Sequence, residues 1–241
     1  MKVYAITDIG RVRALNEDSY YAPLEGERFC AVADGMGGHN AGEVASAMAV
    51  QVFSEHMRGV DHITGHALYT AVERANDEVY RAARENDGMS GMGTTFSALA
   101  QQDGDVLVAH VGDSRIYLVR HGAMLQLTTD HTLVEEMVRK GMLTPREARY
   151  HPRRNIITRA LGTDPRVEID IIQMAARPGD VFFLCSDGMT NYVEEKEILH
   201  AATGDGDWQD KLKRLVSVAL ENGGADNITA LFALIGEEAA R

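Results

Sequence analysis

Four aspartates lie where apolar segments of the sequence end or begin. The segment FCAVA leads to Asp34, VLVAHVG leads to Asp113, VFFLCS leads to Asp187, and Asp226 stands shortly before ITALFALI. Carboxylates that converge repel one another unless a cation lies between them, so four at the ends of predicted strands indicate a divalent-cation site. Each aspartate taken alone has a simpler interpretation, since aspartate commonly begins a turn.

The expected ligands are all oxygen atoms, which suit Mg²⁺ or Mn²⁺ better than Zn²⁺. The sequence contains no His-Glu-x-x-His motif, no Cys-x-x-Cys motif and no EF-hand loop. The glycine-rich segment at Gly35 resembles a dinucleotide-binding loop, but Asn40 stands where the third glycine would be. A cysteine phosphatase loop is also excluded, because neither Cys30 nor Cys185 has an arginine six residues later.

The elements that must position these aspartates come in blocks of strands and blocks of helices. Hydrophobic patterning predicts strands at residues 2–9, 28–33, 95–100, 105–111, 115–119, 123–127, 167–173, 180–185 and 227–235. It predicts helices at residues 43–58, 66–86, 132–140, 144–149 and 208–221. Short turns such as Asp103-Gly104 and His121-Gly122 join neighbouring strands, which predicts hairpins and antiparallel pairing. The blocks therefore favour an α+β fold over alternating βαβ units.

The composition excludes several classes of protein. The chain has 241 residues, and 24 basic against 36 acidic residues give a net charge of −12. This acidic balance argues against binding to nucleic acid or to anionic lipid. No apolar run approaches the ~18 residues that span a bilayer, and two cysteines in apolar segments are expected to be reduced and buried. We therefore expect a cytoplasmic chain without membrane insertion.

Six short motifs follow one another along the chain. They are Arg13-Ala-Leu-Asn-Glu-Asp18, Val32-Ala-Asp-Gly-Met-Gly-Gly-His39, Gly93-Thr-Thr95, His110-Val-Gly-Asp-Ser-Arg115, Ser186-Asp-Gly188 and Gly223-Gly-Ala-Asp-Asn-Ile-Thr229. In this order they resemble the motifs of the metal-dependent (Mg/Mn) type-2C serine/threonine protein phosphatases. Thr129-Asp-His131 and Asn155-Ile-Ile-Thr-Arg-Ala-Leu-Gly162 resemble the bacterial branch of that family.

The resemblance implies a four-layer α-β-β-α sandwich, in which two antiparallel sheets pack face to face with helices outside each. The interpretation of the chain is then one catalytic domain over residues 1–241. A flap-like insertion is expected at about 132–162, beside the active site.

The resemblance also implies the metal ligands. Asp34 is expected to bridge two ions of Mg²⁺ or Mn²⁺. Asp187 and Asp226 complete the protein ligands of the first ion, and the carbonyl of Gly35 ligates the second. Asp113, together with Asp187, matches a third and weaker metal site of bacterial members.

Other residues match positions that act on water or substrate. Asp18 is expected to hold metal-bound water, and Arg13 matches the arginine that binds the phosphate. His39 is a candidate general acid, although it stands three residues beyond the histidine position of eukaryotic relatives and could instead orient the substrate. His110 and His131 are interpreted as structural.

The function implied is hydrolysis of phosphoserine and phosphothreonine in proteins by a metal-bridging hydroxide, which opposes bacterial Ser/Thr kinases. The expected partners are phosphorylated proteins, including a kinase and its substrates, and the expected state is a monomer. Two alternatives remain open from the residues. One is a phosphoprotein-binding module without turnover, and the other is a different two-metal hydrolase such as a phosphodiesterase.

Overall fold

Two antiparallel sheets pack face to face in the computed structural model, which describes residues 1–37 and 41–236. The first sheet contains, in spatial order, β1 (Lys2–Asp8), β11 (Ile228–Leu234), β10 (Val181–Cys185), β7 (Arg115–Arg120) and β8 (Ala123–Gln126). The second contains β2 (Asp18–Tyr21), β3 (Phe29–Met36), β5 (Phe96–Gln102), β6 (Asp105–Val111) and β9 (Asp170–Ala175), with the short β4 (Gly93–Thr94) paired to β3. Every pairing between these strands is antiparallel.

Helices cover the outer face of each sheet. The second sheet carries α1 (Gly42–Arg58) and α2 (Gly65–Glu85), and a 3-10 turn follows at Asp87–Met89. The first sheet carries α6 (Glu195–Thr203) and α7 (Trp208–Glu221), which follow the short α5 (Asp187–Thr190). The remaining helices, α3 (Leu133–Arg139) and α4 (Pro145–Arg149), lie in the expected insertion. The four-layer sandwich implied by the resemblance is confirmed.

Strand β3 shows why the core strands have continuous apolar sequences. Phe29, Ala31 and Ala33 pack towards α1 and α2, whereas Cys30 and Val32 pack between the two sheets. Both faces of the strand are therefore buried, and both need apolar side chains.

Two predicted hairpin turns have the expected backbone. Asp103 and Gly104 both have positive φ, at 50° and 83°, and join β5 to β6. His121 and Gly122, at 52° and 75°, join β7 to β8 in the same way. Such turns match the twist of the flanking strands and favour glycine at the second position.

The structure differs from the sequence prediction at a few elements. Strand β3 continues through Asp34 to Met36, so this aspartate lies within a strand and not after it. Strands β2 and β4 and helices α5 and α6 were not predicted, and β9 begins three residues later than expected. The cysteines are free and buried, as expected, and no helix of the described residues is long and apolar enough to cross a bilayer.

Candidate metal and phosphate site

Asp34 is fixed by its backbone at the centre of the candidate site. Its N–H donates to Thr95 Oγ1 at 2.9 Å, and its carbonyl accepts from the Thr95 N–H at 2.9 Å. The Thr94 hydroxyl donates to the same carbonyl at 2.9 Å. Asp18 is the residue opposite Asp34 in the pairing of β2 with β3. Two adjacent strands therefore bring these two carboxylates together.

Gly35 allows this part of β3 to approach its neighbours closely. Its N–H donates to the Glu17 carbonyl at 3.0 Å. A Cβ at position 35 would lie 2.1 Å from the Gly42 carbonyl oxygen and 2.6 Å from that of Glu17. Only glycine fits here, so the backbone itself is the group that position 35 can offer to a ligand.

Asp187 and Asp226 meet because α5 packs directly on the start of β11. A Cβ at Gly188 would lie 1.9 Å from the Asn227 carbonyl oxygen. Asn191 Nδ2 donates to Asp187 Oδ2 at 3.0 Å. Burial and repulsion from Asp226 raise the pKa of Asp187 to about 6, which is the direction expected for a carboxylate beside another of the same charge.

Arg13 neutralises part of this negative charge. Its Nε lies 2.9 Å from Asp226 Oδ1, its Nη2 donates to Asp226 Oδ2 at 3.0 Å, and its Nη1 donates to Glu17 Oε2 at 3.2 Å. Its side chain is still 46% exposed, so the guanidinium lies at the solvent boundary of the site.

The loop that carries Arg13 is anchored by Asn227. Its Nδ2 donates to the carbonyls of Ile9 and Leu15, both at 2.9 Å, and its Oδ1 accepts from the Glu17 N–H at 2.8 Å. Asn227 is buried. One side-chain amide therefore joins the start of β11 to both ends of the Arg13 loop.

Asp18 is a buried carboxylate with one oxygen left open. Oδ2 accepts from the Ser186 hydroxyl at 2.7 Å, and Oδ1 is buried without a hydrogen-bond partner in the described residues. The nearby Thr229 hydroxyl lowers the Asp18 pKa but is already hydrogen-bonded to Thr7. Burial outweighs these contacts and raises the pKa of Asp18 to about 7.

Asp113 follows β6 and is also buried, at 8% exposure. Burial and repulsion from Asp187 and Asp130 raise its pKa to about 8, although Arg115 acts in the opposite direction. Burial and repulsion from Asp18, Asp187, Asp113 and Asp226 raise the pKa of Asp34 well above its ordinary value. Four carboxylates at this end of the sandwich therefore lie close enough to Asp34 to destabilise its charged form.

These residues fit divalent cations. The donors are all oxygens, Asp18 keeps an orphaned buried oxygen, and a cation would relieve the repulsion that raises the pKa values. In the parts of the chain that the structure describes, no group of three Asp, Glu, His or Cys side chains is arranged so that it could hold a metal ion as it stands. Asp226 is instead paired with Arg13, and Asp187 with Asn191.

A groove of about 790 Å³ runs from this end of the sandwich along the insertion. Asp113 and Asp187 lie in its wall, with residues of α3 and α4 on one side and Thr190–Glu195 on the other.

The structure brings the predicted site residues that it describes to one place. Arg13, Asp18, Asp34, Gly35, Asp113, Asp187 and Asp226 all lie at this end of the sandwich. His39 lies outside the described residues.

Two residues of the site were not singled out from the sequence. Glu17 binds Arg13, and Asn227 anchors the Arg13 loop. Both stand next to a predicted aspartate in a recognised motif, which was the available signal.

Comparisons with known proteins agree with this geometry. The family described as Protein phosphatase 2C matches residues 11–233. Protein phosphatase PhpP of Streptococcus pneumoniae is 38% identical, and the alignment covers 100% of both chains. The crystal structure of the Mycobacterium tuberculosis serine/threonine phosphatase PstP/Ppp is similar with a TM-score of 0.90 and 38% identity, over 98% of this chain and 99% of that one. A structure of the PstP catalytic domain in complex with two manganese ions has a TM-score of 0.89 and 37% identity, and covers 98% of each chain.

Proposed function

This chain belongs to the protein phosphatase 2C family and is a metal-dependent serine/threonine protein phosphatase, and we propose that the aspartate-lined end of the sandwich is where it hydrolyses phosphoserine and phosphothreonine. The observation that carries the assignment is the convergence of four buried or half-buried carboxylates around that of Asp34. Such a cluster is costly to fold unless cations bind to it.

The roles proposed for the carboxylates are those that the family resemblance implies, and the convergence of these residues supports them. Asp34, Asp187 and Asp226, with the Gly35 carbonyl, would hold two ions of Mg²⁺ or Mn²⁺, and Asp113 with Asp187 would hold a third, weaker one. Bound divalent cations supply a hydroxide nucleophile near neutral pH and neutralise charge on phosphoryl oxygens.

Arg13 and Asp18 act on the phosphate and on water. The guanidinium of Arg13 is a planar fork that matches two phosphate oxygens, and its exposure allows it to exchange Asp226 for a phosphoryl group. Asp18 Oδ1 is open to accept a hydrogen bond from the attacking water. His39, from its place in the sequence, is a candidate proton donor to the departing hydroxyl.

The insertion and the partners are part of the same proposal. Residues 1–241 form one catalytic domain, and residues 132–162 form a flap that borders the 790 Å³ groove and selects the substrate. The substrates are phosphorylated proteins, including a Ser/Thr kinase whose action the enzyme opposes. We expect a cytoplasmic monomer.

The test compares substrates and metals. With Mn²⁺ present, the enzyme should release phosphate from a phosphothreonine peptide and leave a phosphodiester intact. Activity should vanish in excess EDTA and in Asp187→Asn, and it should persist in Asp103→Asn, which makes the same change in an exposed turn. Tight phosphopeptide binding without turnover, or preference for the diester, would contradict the proposal.

A further inference from the structure

One residue holds both polar groups of the backbone at Gly112, directly before Asp113. The Gly112 N–H donates to His131 Nδ1 at 3.1 Å, and the His131 N–H donates to the Gly112 carbonyl at 2.7 Å. That carbonyl belongs to the peptide bond between Gly112 and Asp113. His131 therefore fixes the orientation of the peptide bond that leads into the carboxylate.

The backbone at Gly112 has little freedom apart from this contact. Its φ is +108°, a value that favours glycine, and a Cβ there would lie 2.6 Å from Thr95 Cβ. Thr95 is the residue that holds the backbone of Asp34. The turn at Gly112 thus packs against Thr95 on one side and is hydrogen-bonded to His131 on the other.

The far side of the imidazole ring is also fixed. Because Nδ1 accepts the Gly112 N–H, a neutral ring carries its proton on Nε2, which donates to Asp170 Oδ2 at 3.2 Å. Arg159 Nη1 donates to Asp170 Oδ1 at 3.2 Å and lies 3.2 Å from Nε2. Asp170 therefore sets the tautomer that allows Nδ1 to accept.

The two residues before His131 hold the chain on either side of the same turn. Arg115 and Asp130 form a bidentate pair with distances of 2.6 to 3.0 Å. His110 Nε2 lies 3.1 Å from the Thr129 carbonyl, at hydrogen-bond distance. The segment Thr129–His131 thus contacts the chain before and after Asp113, and the insertion begins at the next residue.

We propose that His131 is a positioning residue for Asp113. Its Nδ1 and backbone N–H hold the Gly112–Asp113 peptide so that the carboxylate is directed at the cation that Asp113 shares with Asp187. The inference rests on the proposed function only in assuming that cation. The hydrogen bonds between His131 and Gly112 are tested separately.

Two matched variants separate the contacts of the ring. Asparagine places an oxygen acceptor near the position of Nδ1 and leaves Asp170 without its donor. Glutamine places an amide near the position of Nε2 and leaves the Gly112 N–H without its acceptor. If His131 acts through Nδ1, then His131→Asn should still hold the Gly112–Asp113 peptide in most of the molecules. His131→Gln should no longer hold it.

The first measurement is hydrogen exchange at the Gly112 amide, by NMR on the full chain with Mg²⁺. In His131→Gln, loss of one hydrogen bond should speed exchange at Gly112 about tenfold relative to the amides of β6. In His131→Asn, exchange at Gly112 should speed up less than about threefold. A general loss of stability would instead speed all core amides together. Unchanged exchange at Gly112 in His131→Gln would overturn the inference.

The second measurement counts bound Mn²⁺ from the EPR signal of the free ion. His131→Gln should raise the dissociation constant of the weakest site about tenfold, by the same loss of one hydrogen bond. When Asp113 is already replaced by Asn, His131→Gln should cause no further change in Mn²⁺ binding, because the ligand that His131 positions is gone. Additive effects, or equal effects of the Gln and Asn variants, would overturn the inference. If Asp113→Asn alone leaves all Mn²⁺ binding unchanged, the third cation site is wrong, and the exchange at Gly112 still decides the role of His131.

Discussion

Removing the charge of Asp113 should stabilise the metal-free protein, and more so at high pH. The carboxyl is 8% exposed, and burial with repulsion from Asp187 and Asp130 raises its pKa from 3.8 to about 8. The folded state then holds a proton that the unfolded chain releases between these values. Stability of the metal-free protein therefore falls as the pH rises through this window. The asparagine of the Asp113→Asn variant does not titrate, so this variant does not lose stability in this way as the pH rises.

The size of the effect follows from the pKa. Each pKa unit corresponds to ~1.4 kcal/mol, so the full difference sets an upper limit of about 5 kcal/mol at pH 8. The neighbouring carboxyls share the repulsion and can take up protons themselves, and the new amide needs partners of its own. We expect the variant to gain about 1–3 kcal/mol over the wild type at pH 8, and little at pH 5.

The assay is urea unfolding in EDTA at both pH values, with Asp103→Asn as the control. The control makes the same chemical change in an exposed turn at the other end of β6 and should leave both curves unchanged. Saturating Mn²⁺ should then stabilise the wild type more than Asp113→Asn. If Asp113→Asn destabilises the protein equally at pH 5 and pH 8, the carboxylate caps the turn and the reasoning fails.

Four further predictions concern the rest of the site. Arg13→Ala should lower kcat/KM on a phosphopeptide by about 10- to 150-fold, the equivalent of a lost charged contact of 1.5–3 kcal/mol, with Mn²⁺ affinity nearly unchanged; Arg11→Ala is the control, and equal losses in both would refute the role. Asp187→Asn should lose at least about 100-fold in kcat and one bound Mn²⁺ by calorimetry, and wild-type stoichiometry would rule the residue out as a ligand. Asn227→Ala should lower the free energy of unfolding by about 2–4 kcal/mol, since three buried hydrogen bonds lose their partner, and a loss below 1 kcal/mol in denaturation would contradict the anchoring. If His39 is the general acid, His39→Ala should lose more activity on a phosphoserine peptide than on p-nitrophenyl phosphate, whose leaving group needs no proton; equal losses would assign it to substrate orientation.

The parts of the fold that the sequence predicted well are those whose signal is local. Helix α7 matches its predicted bounds, because Leu212, Leu215 and Ala219 form one buried stripe. The two hairpin turns match because their φ values require residues that the sequence displays.

The parts that were missed depend on partners far away in the chain. Asp34-Gly35-Met36 has the composition of a turn, yet it continues β3 because β2 and β4 pair with it. Helix α6 is short, with buried Ile198 and Ala202, and its clearest sequence signal was the capping box of Glu194 and Glu197.

The site shows the same division. The aspartates could be proposed because apolar strands surround them and because the motif order is specific. The contacts that hold them could not be derived in this way. No periodicity or spacing in the sequence indicates the salt bridge of Arg13 with Asp226. The same is true of the hydrogen bonds of His131 with Gly112. They arise only when distant segments meet.

Strand β11 pairs with β1 along its whole length, and this pairing has a consequence for synthesis of the protein. Thr7 faces Thr229 in the register, and Arg13 reaches Asp226 across 213 positions of the sequence. Contacts of such long sequence separation form late and slow the folding of a chain. A ribosome-bound chain that ends before Asp226 lacks this carboxylate, Asn227 and β11, so it can complete neither the carboxylate cluster nor the Arg13 loop. Phosphatase activity should therefore begin only after Asp226, Asn227 and β11 have been made, and fragments that end before Asp226 should leave phosphoproteins untouched.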